Sequence, residues 1–376
     1  PFCGALAIII FVADDFVVVG GDSVQGFWDS KDDWEAAITR IMEPLKTCRK
    51  PVFVLVGNHD DNAYDDWNED FSEKIVSDLD WKNFVLDPIS PDGIVRPEGD
   101  PNAKNYYYDF EKNGKTTRLF FLDAIDYYQE YNPVTGDIIA LGSTGVDEES
   151  ITEDKDKYKL YYHGRSYFGY SASQVKWLAE SLEETDEFDN VLMFSHMGTD
   201  SSISTVEFGA EVADVMAAYN NKTTYKNETY GIDVSYNDDG RILSYQFGHV
   251  HKERFVYNEA AGVWQIASST ARADQAEEFR KEGSIGTENE ACFDIMSVSA
   301  GAIYKYNIGA GDDGTFYSVN NVRYGDLTLD NTVDIRDLVA LSTTEEGTNT
   351  AADVNRDNLI AITFDAEALR KIILGK

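Results

Sequence analysis

Four of the chain's five histidines stand where an apolar run ends: His59 in GNHD, His196 in SHMG, and His249 with His251 in GHVH. A fourth such exit, in "DFVVVGGD", carries Asp22, and Asn58 precedes His59. Neutral imidazole is the commonest protein metal ligand, and carboxylate and amide oxygens complete such shells. Alternate residues of an extended segment face the same way, so the spacing of His249 and His251 predicts two imidazoles aimed into one space. One strand-end histidine suits a structural role. Four together, with Asp and Asn at equivalent ends, predict a convergent metal site.

The elements that must position these residues are short apolar strands: 15–22, 51–60, 118–124, 190–198 and 242–251. Helix-period segments lie between some of them. "WEAAITRIMEPL" stripes Ile38, Ile41, Met42 and Leu45, and "SASQVKWLAESLEE" stripes Val175, Leu178 and Leu182 behind a serine cap. Apolar strands alternating with helices predict a layered α/β architecture, whose ligands gather at strand ends. The Tyr- and acid-rich stretch from about 125 to 170 interrupts this rhythm and reads as an insertion or lid.

GGDSVQG, GNHD, SHMG and GHVH resemble four of the five blocks of the calcineurin-like metallophosphoesterases, in the family's order, over about residues 1–320. "FDIMSVSAGAIYKYNIGAGDDGTFYS" resembles the closing strands of bacterial members. The resemblance implies a four-layer α/β/β/α sandwich holding two transition-metal ions, of Fe, Mn or Zn type. Asp22 would bridge the ions. Asn58, His196 and His249 would complete one shell, and His251 would ligate the other ion. His59 would be the general acid, oriented by Asp60. Two cations would neutralise a phosphate and acidify a water for in-line attack on a small phosphorylated mono- or diester substrate. The family's first block, Asp-x-His, does not precede Gly21. The spacing places it upstream of Pro1, so the phosphoesterase domain of 1–320 is expected to be N-terminally incomplete. His163 and Arg165 in the interrupting stretch are candidate substrate contacts, since Arg offers a bidentate fork to phosphate. The contrasting expectation is a non-catalytic binding or structural subunit that has lost one ion.

Near residue 322 the composition changes to a duplicated pattern, an acidic loop followed by an apolar helix, which predicts a second domain over 321–376. In the first copy Asp326, Thr328, Asp330, Thr332, Asp334 and Asp337 fall at positions 1, 3, 5, 7, 9 and 12 of a calcium loop. The second offers Asp353, Asn355 and Asp357, with Asp365 one residue late. The loop-helix duplicate resembles a type I dockerin. That implies an all-α, Ca²⁺-ordered module whose partner is a cohesin on a scaffoldin, and an extracellular, bacterial, scaffold-associated setting. Its recognition positions would be Ile335–Arg336 and Ile362–Thr363.

A formal net charge of −36 over 376 residues disfavours nucleic acid as a partner, because phosphate backbones are held by a surplus of Lys and Arg. A hydrophobic content of 43% is ample for a core, and no run is long and apolar enough to span a membrane. Cys3, Cys48 and Cys292 show no zinc spacing.

Overall fold

The computed structural model describes residues 15–62, 76–112, 115–126, 168–184, 190–200, 209–237, 240–269, 292–298, 302–317, 333–342 and 362–374, the short pieces 8–10, 130–131, 138–140, 206–207 and 286–287, and the single positions Leu327 and Val354. Two six-stranded sheets dominate it. The first runs Gly314–Tyr317, Ala302–Gly309, Cys292–Val298, Ile8–Ile10, Val17–Val19, Val52–Val54. The second runs Arg254–Asn258, Val263–Ala267, Ile242–Phe247, Asn190–Ser195, Lys115–Leu122, Tyr106–Lys112. All five strands expected from the apolar runs form.

Pairing direction decides where the strand ends fall. Val17–Val19 is parallel to Val52–Val54, and Lys115–Leu122, Asn190–Ser195, Ile242–Phe247 and Val263–Ala267 are parallel in succession. Parallel neighbours send their carboxyl ends to one edge of a sheet. Ile8–Ile10 lies between Val17–Val19 and Cys292–Val298, antiparallel to the former and parallel to the latter.

Period-two alternation divides the second sheet between two cores. Leu119, Phe121, Leu192 and Phe194 join Val18, Val19, Phe53 and Val54 of the first sheet. Phe120, Leu122, Val191 and Met193 turn the other way, onto Val175, Leu178 and Leu182 of helix Ala172–Glu183 and Val212, Val215 and Met216 of helix Gly209–Asn220. Ser171 caps the former helix through Oγ, which accepts from the Gln174 N–H at 3.1 Å. Trp34, Ile38 and Met42 of helix Lys31–Lys46 are buried in the first core. An aromatic ladder joins the sheets: Phe121 stacks on Phe53, Tyr106 and Phe194 at centroid separations of 4.6, 4.8 and 5.2 Å.

The helices Ile335–Leu341 and Ile362–Ile373 share a third core of Leu327, Leu341, Val354 and Leu369, drawn from both copies of the C-terminal repeat. The stretch from 125 to 170 lies mostly outside the described residues. No helix among the described residues is long and apolar enough to cross a membrane.

Beyond the strand Lys115–Leu122, Asp123 meets Lys104 at 3.1 Å, and Lys104 also reaches Asp78 at 2.9 Å. Asp126 accepts from Ser171 Oγ and, at 3.0 Å, from Gln174 Nε2. Burial, then the charge of Asp123, pushes the Asp126 carboxyl up to about 7.

Two predictions follow from the packing and the charge. Phe121→Ala removes the ring that touches both sheets and should cost about 3–5 kcal/mol, read as a fall in the urea midpoint. Folded Asp126 holds its proton to about pH 7 while the unfolded chain releases it near 3.8, so this group lowers stability as pH rises through that window. Asp126→Asn should therefore raise the urea midpoint over wild type more at pH 8 than at pH 4; an equal shift at both would contradict the assignment.

Candidate metal centre

Asp22 follows the turn out of Val17–Val19, and Asn58 the turn out of Val52–Val54. His196 directly follows Asn190–Ser195, and His249 comes two residues after Ile242–Phe247. Asp22, Asn58 and His196 are 2, 3 and 1% exposed. The loops are tied at the backbone: Leu55 N–H donates to the Val19 carbonyl at 2.9 Å, and Gly248 N–H to the His196 carbonyl at 3.0 Å.

Four potential ligand atoms converge. Asp22 Oδ2 lies 3.2 Å from His196 Nε2. Asn58 Oδ1 lies 3.2 Å from His196 Nε2 and 3.0 Å from His249 Nδ1. Donor atoms of Asp22, His196 and His249 all fall within 4.8 Å of one another. The His196 Nδ1–H donates to the Gly20 carbonyl at 2.7 Å, which leaves the Nε2 lone pair facing the cluster. Asp22 Oδ1 accepts the His59 backbone N–H at 3.0 Å, while Oδ2 is buried with no hydrogen-bond partner. An ionised oxygen buried without a donor, facing neutral nitrogen and amide-oxygen donors, is what a cation satisfies. The donor set fits a divalent transition metal.

The charges of Asp22 and His249 suit that fit, while His196 is pulled toward its protonated form by Asp22. Burial works against ionising Asp22, but the charges of His196, His59 and His249 and the His196 contact hold its carboxyl well below the usual range. Burial and then His196 press His249 down to about 3, keeping it the neutral imidazole that ligation needs. Burial lowers His196, and Asp22 more than offsets it, for a net upward shift.

Backbone geometry is strained here. Asp22, His249 and His251 take φ of 54, 63 and 55°, a left-handed region that costs a non-glycine residue about 1–3 kcal/mol. At Gly57 a Cβ would fall 2.2 Å from both the backbone nitrogen and Oδ1 of Asp22, so glycine is required there.

Two expectations differ from what the structure shows. His249 and His251 take left-handed backbone where an extended segment was expected; the metal-ligand group among the described residues is Asp22, His196 and His249. His251 stands outside that group. Asp60 does not orient His59. Its carboxylate accepts Gly57 N–H at 2.7 Å and Val24 N–H at 3.1 Å, locking the two loops together, and the Trp34 indole donates to its carbonyl at 2.9 Å. Burial, then the Asp22 charge, pushes that carboxyl up to about 8. The Gln25 carbonyl orients His59 instead, accepting from Nδ1 at 3.0 Å. His59 Nε2 is then turned toward the cluster, 4.0 Å from Asp22 Oδ2, on a side chain 21% exposed. The carbonyls of Gly20 and Gln25 escaped sequence reasoning because backbone acceptors leave no residue signature. Gly57 was readable as a glycine directly before Asn-His.

His163, Arg165, Asp326, Thr328, Asp330, Thr332, Asp353, Asn355 and Asp357 lie outside the described residues. Asp334 caps helix Ile335–Leu341, accepting the Arg336 N–H at 2.7 Å and an Arg336 guanidinium N–H at 2.7 Å. Asp337 accepts the Asp334 N–H at 2.7 Å, and Asp337 and Asp365 are both fully buried.

Residues 6–253 match the family described as calcineurin-like phosphoesterase. The chain belongs to that family. Among solved structures it is similar to a dimetal phosphatase from Danio rerio, with TM-score 0.50 and 16% identity over 81% of this chain and 84% of the other. None of the curated proteins matches. Membership makes the chain a metal-dependent phosphoesterase in class, and the four-donor cluster is where its fold would hold an ion.

Replacing Gly57 by Ala should lower bound Mn²⁺ or Zn²⁺ well below that of wild type, because the new Cβ displaces Asp22. Asp22→Asn should do the same without the steric effect. Metal analysis after dialysis reads both, and wild-type metal content in Asp22→Asn would contradict the assignment.

Proposed function

We propose that the chain hydrolyses small phosphate mono- or diesters at two transition-metal ions, of which Asp22, Asn58, His196 and His249 would hold one. The observation carrying this reading is the buried Asp22 Oδ2, without a hydrogen-bond partner and 3.2 Å from His196 Nε2, which also meets Asn58 Oδ1 at 3.2 Å. Bound ions supply Lewis-acid stabilisation of the phosphate and a water acidified for attack. His59 gives its Nδ1–H to the Gln25 carbonyl, and its Nε2, turned toward the cluster, would carry the proton delivered to the leaving oxygen. Asp60 holds the Asp22 and Asn58–His59 loops at fixed separation through Val24 and Gly57. His251 would serve the second ion.

The C-terminal repeat is read as a calcium-ordered dockerin that tethers the enzyme, outside the cell, to a cohesin-bearing scaffold. The buried carboxylates of Asp337 and Asp365, at or beside loop position 12, support that reading, as do the exposed Ile335 and Val339 on one helix face. A second reading, a non-catalytic subunit, is favoured by one observation: a single ligand group assembles among the described residues.

Turnover of p-nitrophenyl phosphate and its bis-ester, assayed after loading with Mn²⁺, Fe²⁺ or Zn²⁺, separates the two. The enzyme reading expects metal-dependent turnover of at least one ester. No turnover with any metal would favour the subunit. His59→Asn should leave metal content unchanged while slowing kcat by about 10²–10⁴-fold; loss of the metal instead would remove His59 from the acid role.

A further inference from the structure

Between the Asp22 turn and helix Lys31–Lys46 the chain holds two adjacent aromatic rings in solvent, Phe27 at 47% exposure and Trp28 at 36%. Their backbone is fixed to the loop that carries His59. The Trp28 N–H donates to Asn62 Oδ1 at 2.7 Å, and Asn62 Nδ2 returns a bond to the Trp28 carbonyl at 3.2 Å. Asn62 holds a left-handed φ of 63° in making this pair. One residue before Phe27, Gly26 takes φ of +72°, and a Cβ there would lie 2.1 Å from the His59 carbonyl oxygen. One residue earlier again, the Gln25 carbonyl accepts from His59 Nδ1 at 3.0 Å. Residues 25–28 are therefore tied to 59–62 at three places, which links the segment carrying both rings to the loop that carries His59.

A single exposed ring calls for no explanation. Two neighbouring rings on a turn tied to a candidate general acid are a different matter, because the segment that carries them is held to the His59 loop. We propose that Phe27 and Trp28 form a stacking platform for the nucleobase of a mononucleotide whose phosphate is held at the Asp22 cluster. This rests on the phosphoesterase reading above and names its substrate class. Flat π faces suit a planar heterocycle, and base stacking needs no cation. That matters in a chain of net charge −36, where a polyanion finds few positive partners but one phosphate can be held by metal. An acyl chain calls for a concave apolar channel instead.

The test compares kcat/KM for adenosine 5′-monophosphate with that for ribose 5-phosphate, the same phosphoryl sugar without its base, on Mn²⁺-loaded protein. Wild type should favour the nucleotide by about tenfold or more. In Phe27→Ala/Trp28→Ala that ratio should fall toward one, and Phe27→Leu, which keeps an apolar side chain but no ring, should lower it partway. A structural defect slows both esters and leaves the ratio unchanged. Equal use of the two esters by wild type, or an unchanged ratio in the variants, would overturn the platform. If neither ester is hydrolysed, the phosphoesterase reading fails on its own account, and adenosine quenching of tryptophan fluorescence still decides the platform. Quenching that weakens severalfold in Phe27→Leu supports it, and quenching that is absent or unaltered refutes it.

Discussion

The site depends on one carboxylate. Asp22 is buried, charged, and engaged by a backbone N–H on Oδ1, while Oδ2 lies 3.2 Å from His196 Nε2, which in turn lies 3.2 Å from the Asn58 amide oxygen. A buried anion is costly, and without a cation the only relief on this side is the pull of Asp22 on the His196 ring, which shifts that ring upward. A cation placed among the four donors relieves the carboxylate and uses the lone pairs of His196, His249 and Asn58 at once. The surrounding architecture can be understood as the means of holding that arrangement before an ion arrives.

Four strand ends deliver the donors because parallel pairing carries them to one edge of each sheet, and the Phe53–Phe121–Phe194 stack fixes how the sheets face each other. The turns beyond the strands supply the close approach. Gly57 leaves room for Asp22, and Asp60 anchors both loops through two backbone N–H groups. Left-handed backbone at Asp22 and His249 stores strain that a rigid scaffold must offset. Rigidity of this kind lowers the reorganisation needed when charge develops in a reacting phosphate.

Much of this was legible in the sequence. Continuous apolar runs such as VLMFS and ILSYQF revealed strands buried on both faces, and their terminal Asp, Asn and His residues revealed the edge that matters. Helix Ala172–Glu183 was visible from its serine cap and stripe, whereas Gly209–Asn220, apolar on several sides, lacked a clear period. Alternation does not describe the backbone at GHVH, because a tight turn with left-handed histidines does not obey the strand period. The resemblance misled at Asp60, whose implied contact with His59 gives way to the backbone amides of Val24 and Gly57. Local chemistry is written in side chains, but the partner a buried carboxylate finds is decided by which main-chain donors the turns bring near.

A crystal grown with Mn²⁺ and measured for anomalous scattering tests the central claim most directly. The account predicts a peak enclosed by Asp22 Oδ2, Asn58 Oδ1, His196 Nε2 and His249 Nδ1. A protein that takes up manganese elsewhere, with those four atoms directed at water or at each other, would contradict it.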